Sequence, residues 1–167
     1  MKRSERTTMK TRKEFLYALA VALSLVPGQT GARNSSSANL QAASSRRQDM
    51  KIKITIGGRI LTARLADNAT AQDFASILPL HVTMKDLFGR EKYGDLPKAL
   101  SKNGPTKKTY EVGEIAYWSP AQQLAVYYHH DGESIPSPGI IPIGRIDAGM
   151  EAFNVPGSVK VTIELAK

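Results

Sequence analysis

Two segments of this chain alternate residue by residue between branched apolar and polar side chains, and no other feature limits the fold as tightly. Ile52, Ile54 and Ile56 face one way while Lys51, Lys53 and Thr55 face the other; Val159, Val161, Ile163 and Leu165 alternate in the same manner with Lys160, Thr162 and Glu164. Successive strand side chains point to opposite faces, so a period of two predicts strands with one buried and one wet face.

The segments between repeat the theme. Gly57-Gly58 suits a tight turn needing positive φ, and Leu61, Ala63 and Leu65 alternate beyond it, which together predict a β-hairpin. Thr70 is read as the N-cap of a two-turn helix, with Asp73 three residues on and Phe74, Ile77 and Leu78 along one face before Pro79. Leu80, Val82 and Met84 predict a further strand ending near Phe88-Gly89, and the mixed stretch from Glu91 to Leu100 reads as partly helical. Strands are expected over Tyr110–Trp118 and Leu124–His129, separated by Ser119-Pro120, with Gly113 at a bulge or bend. Ile140, Ile141, Ile143 and Ile146 predict a strand whose Pro142 belongs at an edge or bulge, and Asp147 is expected to cap a short helix through Phe153. Seven or eight short strands with two or three short helices make the fold mainly β, a closed or nearly closed antiparallel barrel rather than a doubly wound sheet.

The N-terminal third reads as targeting and spacer. Lys2, Arg3, Arg6, Lys10, Arg12 and Lys13 precede a largely apolar run from Phe15 to Val26, which Pro27-Gly28 ends. As a helix that run rises only about 18 Å, too short for a hydrocarbon core of about 30 Å, so a signal peptide is expected and a stable membrane anchor is not. Thr30-Gly31-Ala32 supplies the small residues a signal peptidase accepts, which places cleavage after Ala32 and makes residues 1–32 the leader. Thr11-Arg12-Lys13-Glu14-Phe15-Leu16 resembles a twin-arginine signal with a lysine as its second basic residue, so the export route stays open. Residues 33–49, rich in Ser, Ala, Gln and Asn, hold too few apolar side chains to offset the entropy of ordering and read as a disordered tether. The folded domain is residues 50–167, and its expected location is periplasmic or secreted.

Charge and composition exclude several functions. The net charge is +8, but residues 50–167 carry fourteen Lys and Arg against twelve Asp and Glu. With no run of basic residues, the segment lacks the sequence footprint of a nucleic-acid binder. The absence of cysteine removes disulfides, thiolate metal ligands and a lipid-modified cysteine together. His129-His130 cannot chelate one ion while extended, since neighbouring strand residues point to opposite faces, and no His-Glu-x-x-His or Gly-x-Ser-x-Gly motif occurs. No metal or cofactor is expected.

Ile56-Gly57-Gly58-Arg59 through Leu65-Ala66-Asp67, followed by Thr70-Ala71-Gln72-Asp73-Phe74, resembles the opening hairpin and first helix of cyclophilins. Gly113–Tyr117 with Leu124–Tyr128 is similar to their central strand pair, and Ile143–Glu151 to their late strand entering the second helix. Gly89-x-Glu91-Lys92-Tyr93, Leu96-Pro97 and Tyr117-Trp118-x-Pro120 resemble more closely the bacterial cyclophilin-like proteins of unassigned function. The resemblance covers nearly all of residues 50–167 and implies a closed cyclophilin-like β-barrel. Prolyl isomerisation in cyclophilins relies on an arginine in a Phe-His-Arg strand and on a Phe-x-x-Gln-Gly-Gly segment. This chain has neither, reading Val82-Thr83-Met84-Lys85-Asp86-Leu87 where the first would stand.

Two functional expectations follow. The first is a binding module holding a peptide or small-molecule ligand in a surface groove, with Glu91, Lys92, Tyr93, Trp118, Tyr127 and Arg145 as its residues. The second is a divergent prolyl isomerase in which Arg64 or Arg145 donates to a twisted amide, unless both are solvated surface residues.

Overall fold

The computed structural model describes residues 50–166; the expected leader and tether lie outside the described residues. Eight strands close an antiparallel barrel in the order β1-β2-β7-β5-β6-β4-β3-β8. They are β1 (Lys51–Ile56), β2 (Arg59–Leu65), β3 (Leu80–Leu87), β4 (Glu91–Asp95), β5 (Glu114–Trp118), β6 (Gln123–Tyr127), β7 (Ile141–Ile146) and β8 (Val159–Leu165). The alternating isoleucines of β1 point inward and are almost fully buried, as are Val161 and Ile163 of β8, which pairs with both β1 and β3. Closure leaves no edge strand, and inward apolar side chains from every strand but β4 join in one core. Among the described residues no helix is long and apolar enough to cross a membrane.

The barrel corrects several local expectations. Among the described residues there is one α-helix, α1 (Ala69–Ala75), and one 3-10 turn (Met150–Phe153), where two or three helices were expected. The N-cap of α1 is Asn68, whose carboxamide oxygen accepts from Ala71 N at 2.9 Å; an Asn caps as well as a Thr. Thr70 lies inside the first turn, donating to the Ser101 carbonyl at 2.7 Å, and Asp73 accepts from Ser101 N at 2.7 Å. Both side chains therefore staple the segment after β4 to the helix. Asp147 caps nothing: it accepts from the Thr62 hydroxyl at 2.8 Å and faces Arg64 at 3.4 Å, and the 3-10 turn starts from Gly149 instead.

The stretch beginning at Glu91, expected to be partly helical, opens as strand β4, paired with β3 and β6. Its inward positions are Lys92 and Gly94, so no apolar alternation marks it. A Cβ on Gly94 would sit 2.5 Å from Val82 Cγ2. Gly113, at φ 94°, delays β5 until Glu114, and β6 ends at Tyr127 because Tyr128 N and His129 N both turn to the Arg90 carbonyl. Pro142 sits opposite Ala116, where the β5–β7 register shifts, as a strand proline should.

Candidate functional site

The outer face of β4, β6 and β5 carries a second apolar cluster of Tyr110, Ala116, Ala125, Tyr127, Ile135 and Ile140, against which Trp118 packs. Register explains its shape. Glu91 pairs with Tyr127, Tyr93 with Ala125, Ala125 with Ala116, and Trp118 with Gln123. Ala125 is a low point between aromatic neighbours, and it lines a cleft of about 380 Å³. The β3–β4 turn forms one wall with Leu87, Phe88 and Arg90, and Ile135-Pro136 of the long β6–β7 loop forms another.

Phe88 stands at the cleft rim with 77% of its surface exposed and a φ of 57°. A bulky residue in the left-handed region is strained, and such strain gathers at functional sites. Its ring lies on one side of the Arg90 guanidinium, 5.4 Å from Cζ, with Tyr110 at 5.6 Å. Tyr110 in turn stacks on Tyr127 at 4.3 Å and on His130 at 4.8 Å. Arg90 Nη1 donates to Asp131 Oδ2 at 3.3 Å, and the Tyr110 hydroxyl donates to the other Asp131 oxygen. The arginine is thus held in place by Asp131, Phe88 and Tyr110.

Arg90 and Glu91 side chains are each 8% exposed, and Arg90 Nε lies 3.8 Å from Glu91 Oε2, too far for a hydrogen bond. Neither atom has a hydrogen-bond partner among the described residues. Burial pushes the Glu91 carboxyl above its ordinary value, a rise opposed by the Tyr127 hydroxyl and by Arg90. The same burial, with Glu91 alongside, pushes the Tyr127 phenol up. Asp131 moves the other way, down to about 2, chiefly because the Tyr110 hydroxyl donates to it, with Glu133 N and Arg90 adding to the effect.

Of the six residues expected at a groove, Glu91, Tyr93, Trp118 and Tyr127 line this cleft. Lys92 does not. It points into the barrel, fully buried, where its three N–H donors reach Asp86 Oδ2 at 2.9 Å, the Gly157 carbonyl at 2.9 Å and the Val155 carbonyl. Arg145 lies on the exposed face of β7, with β5 and β6 between it and β4, donating to the Val112 carbonyl at 3.3 Å. Arg64 is its cross-strand neighbour on β2, so neither candidate isomerase donor lines the cleft. Arg90, Phe88, Tyr110 and Asp131 were missed in the sequence. The available signal was an aromatic beside a glycine in a predicted turn, Phe88-Gly89, followed by an adjacent Arg-Glu pair. Among the described residues no group of three or more His, Cys, Asp or Glu could hold a metal ion.

The sequence profile of a family described as the Cyclophilin-like family matches residues 54–164. The solution structure of the hypothetical protein AF2241 from Archaeoglobus fulgidus superposes with a TM-score of 0.59 at 24% identity, covering 71% of this chain and 96% of that one. At that identity the likeness speaks for the fold alone. No curated protein matches the sequence.

Proposed function

The chain belongs to the cyclophilin-like family, and on that premise we propose that its barrel is a binding module that holds a peptide or small polar ligand in the β4–β6–β5 cleft. One observation carries this reading: the cleft is walled by a buried donor and a buried acceptor, Arg90 Nε and Glu91 Oε2, that no group among the described residues satisfies. Unmet buried polar groups cost stability, and an amide, which offers both a carbonyl and an N–H, supplies what each lacks. Both atoms are covered in the free protein, so the ligand reaches them by displacing the exposed Phe88 ring from the guanidinium. The cleft volume falls within the range of small-molecule sites, and Phe88, Tyr93 and Trp118 offer the apolar contact that fixes a ligand there. In this proposal the domain works after export, a setting supported by the basic and then apolar N-terminal sequence.

Trp118 is the chain's single tryptophan, which makes its fluorescence a reporter of the cleft. Titration of residues 33–167 with a library of N-acetylated tetrapeptide amides is expected to give saturable changes that weaken at least tenfold in Glu91→Gln and Tyr93→Ala. Saturable binding that neither substitution alters would place the ligand elsewhere and sink the reading.

A second reading is favoured by one observation: Arg90 is the guanidinium in the cleft. A divergent prolyl isomerase would draw its donor from Arg90 rather than from Arg64 or Arg145. Acceleration of X-Pro isomerisation in a protease-free assay, lost in Arg90→Ala, is what this reading requires; a folded protein that leaves the thermal rate unchanged excludes it.

A further inference from the structure

The two unmet atoms of the cleft stand close together, and their spacing says more about the ligand than their number does. Arg90 Nη1 is taken by Asp131 Oδ2 at 3.3 Å while Nε is unmatched, and the Tyr127 hydroxyl donates to the Glu91 carboxylate while Oε2 is unmatched. Nε and Oε2 lie 3.8 Å apart on side chains that are each 8% exposed. A carboxylate ligand only accepts and would be repelled by Glu91; an ammonium only donates and would be repelled by Arg90. The pair therefore selects a neutral group that both donates and accepts.

Distance separates the two ways an amide is built. The oxygen and nitrogen of any amide lie roughly 2.3 Å apart. In a trans secondary amide the C=O and N–H point in opposite directions, so groups hydrogen-bonded to both, about 2.9 Å from each, stand about 8 Å apart. Where the N–H lies on the same side as the carbonyl, as in a primary carboxamide or a lactam, both bonds leave along one edge and their partners stand about 2 to 4 Å apart. The spacing of Arg90 Nε and Glu91 Oε2 matches the second arrangement and not the first. A single hydroxyl oxygen about 2.9 Å from both atoms would subtend an angle of about 80°, well below tetrahedral, and makes two bent bonds where the amide edge makes two nearly straight ones.

Resting on the reading of this cleft as a ligand site, we propose that the group it recognises is an amide edge whose N–H is syn to its carbonyl, a primary carboxamide or a lactam, and not the trans amide of a peptide backbone. Arg90 Nε donates to the oxygen of that edge and Glu91 Oε2 accepts from its nitrogen, once the Phe88 ring has left the guanidinium. Tyr93 and Trp118 supply the apolar contact for the body that carries the edge. In a peptide, the recognised element is then an Asn or Gln side chain or an amidated C-terminus rather than an internal backbone unit.

Chemical-shift titration of the full chain with four neutral aromatic probes tests it. Benzamide and isoindolin-1-one present the syn edge, N-methylbenzamide keeps the trans form, and benzyl alcohol offers one hydroxyl. At least one of the first two is expected to shift the amides of Glu91, Tyr93 and Trp118 saturably and to bind about tenfold tighter than N-methylbenzamide and benzyl alcohol, the factor that one hydrogen bond to a charged group supplies. Which of the two binds more tightly tells a carboxamide from a lactam. In Glu91→Leu the preference is expected to vanish. N-methylbenzamide or benzyl alcohol binding as tightly as both syn amides, a preference that survives in folded Glu91→Leu, or no saturable shift from any probe would overturn the proposal. Peptides that shift the cleft amides whether or not they carry a carboxamide would leave the binding-module reading standing while this one falls; probes that bind with the expected preference where no peptide does would leave this one standing.

Discussion

At the scale of single residues, Glu91 and Lys92 are neighbours in sequence with opposite tasks. Strand pleating sends Glu91 out to the cleft and Lys92 into the barrel, where Asp86 and two carbonyls satisfy its ammonium. Removing one partner of a buried charge pair costs about 3 kcal/mol, so Lys92→Met is expected to lower the denaturation free energy by about that amount. Peptide binding per folded molecule should stay unchanged, which titration of the remaining native protein checks. Glu91→Gln should do the reverse. The Glu91 pKa is raised by burial, so the folded state favours its protonated form, and stability is lost as pH rises through the folded value. A glutamine mimics that protonated form at every pH. The variant is therefore expected to melt above wild type at pH 8, the gap closing towards pH 4, while its ligand binding falls. A variant melting below wild type at pH 8 would show that Arg90 more than repays the burial.

At the scale of elements, the β3–β4 hairpin carries the cleft's most exposed aromatic on its most strained backbone. Phe88→Gly relieves the left-handed conformation and is expected to stabilise the fold by about 1 kcal/mol, measured by denaturant unfolding, while weakening ligand binding by loss of the ring. This hairpin is also where sequence reading failed. β1, β2, β3 and β8 are legible because their inward positions are branched or long apolar side chains. β4 hides because a lysine and a glycine fill its inward positions, a choice that only the opposing Val82 and Asp86 explain. Glu91, Tyr93, Trp118 and Tyr127 could be nominated from clustered aromatics and charges near one another in sequence. Arg90's role could not be, since Asp131 and Tyr110 come to it from loops with no period to read.

At the scale of the whole molecule, barrel closure brings distant residues into register and so creates the cleft. Arg145, Arg64 and Lys51 stand opposite one another although far apart in the chain, with Glu114 of β5 next in the register and Asp147 beside Arg64. Stability at low pH follows from the same assembly. Asp131 has a folded pKa of about 2 against an ordinary value of 3.8, so its contribution is present above about pH 4 and lost as pH falls towards 2. Asp131→Asn is expected to flatten the decline of the melting temperature across that window. The central claim is that the outer face of β4, β6 and β5 is the ligand site, and amide chemical-shift mapping of residues 33–167 with a bound tetrapeptide amide tests it most directly. The account predicts the largest shifts at Phe88, Arg90, Glu91, Tyr93, Trp118 and Tyr127; shifts centred on Lys51, Arg64 and Arg145, with the cleft silent, would contradict it.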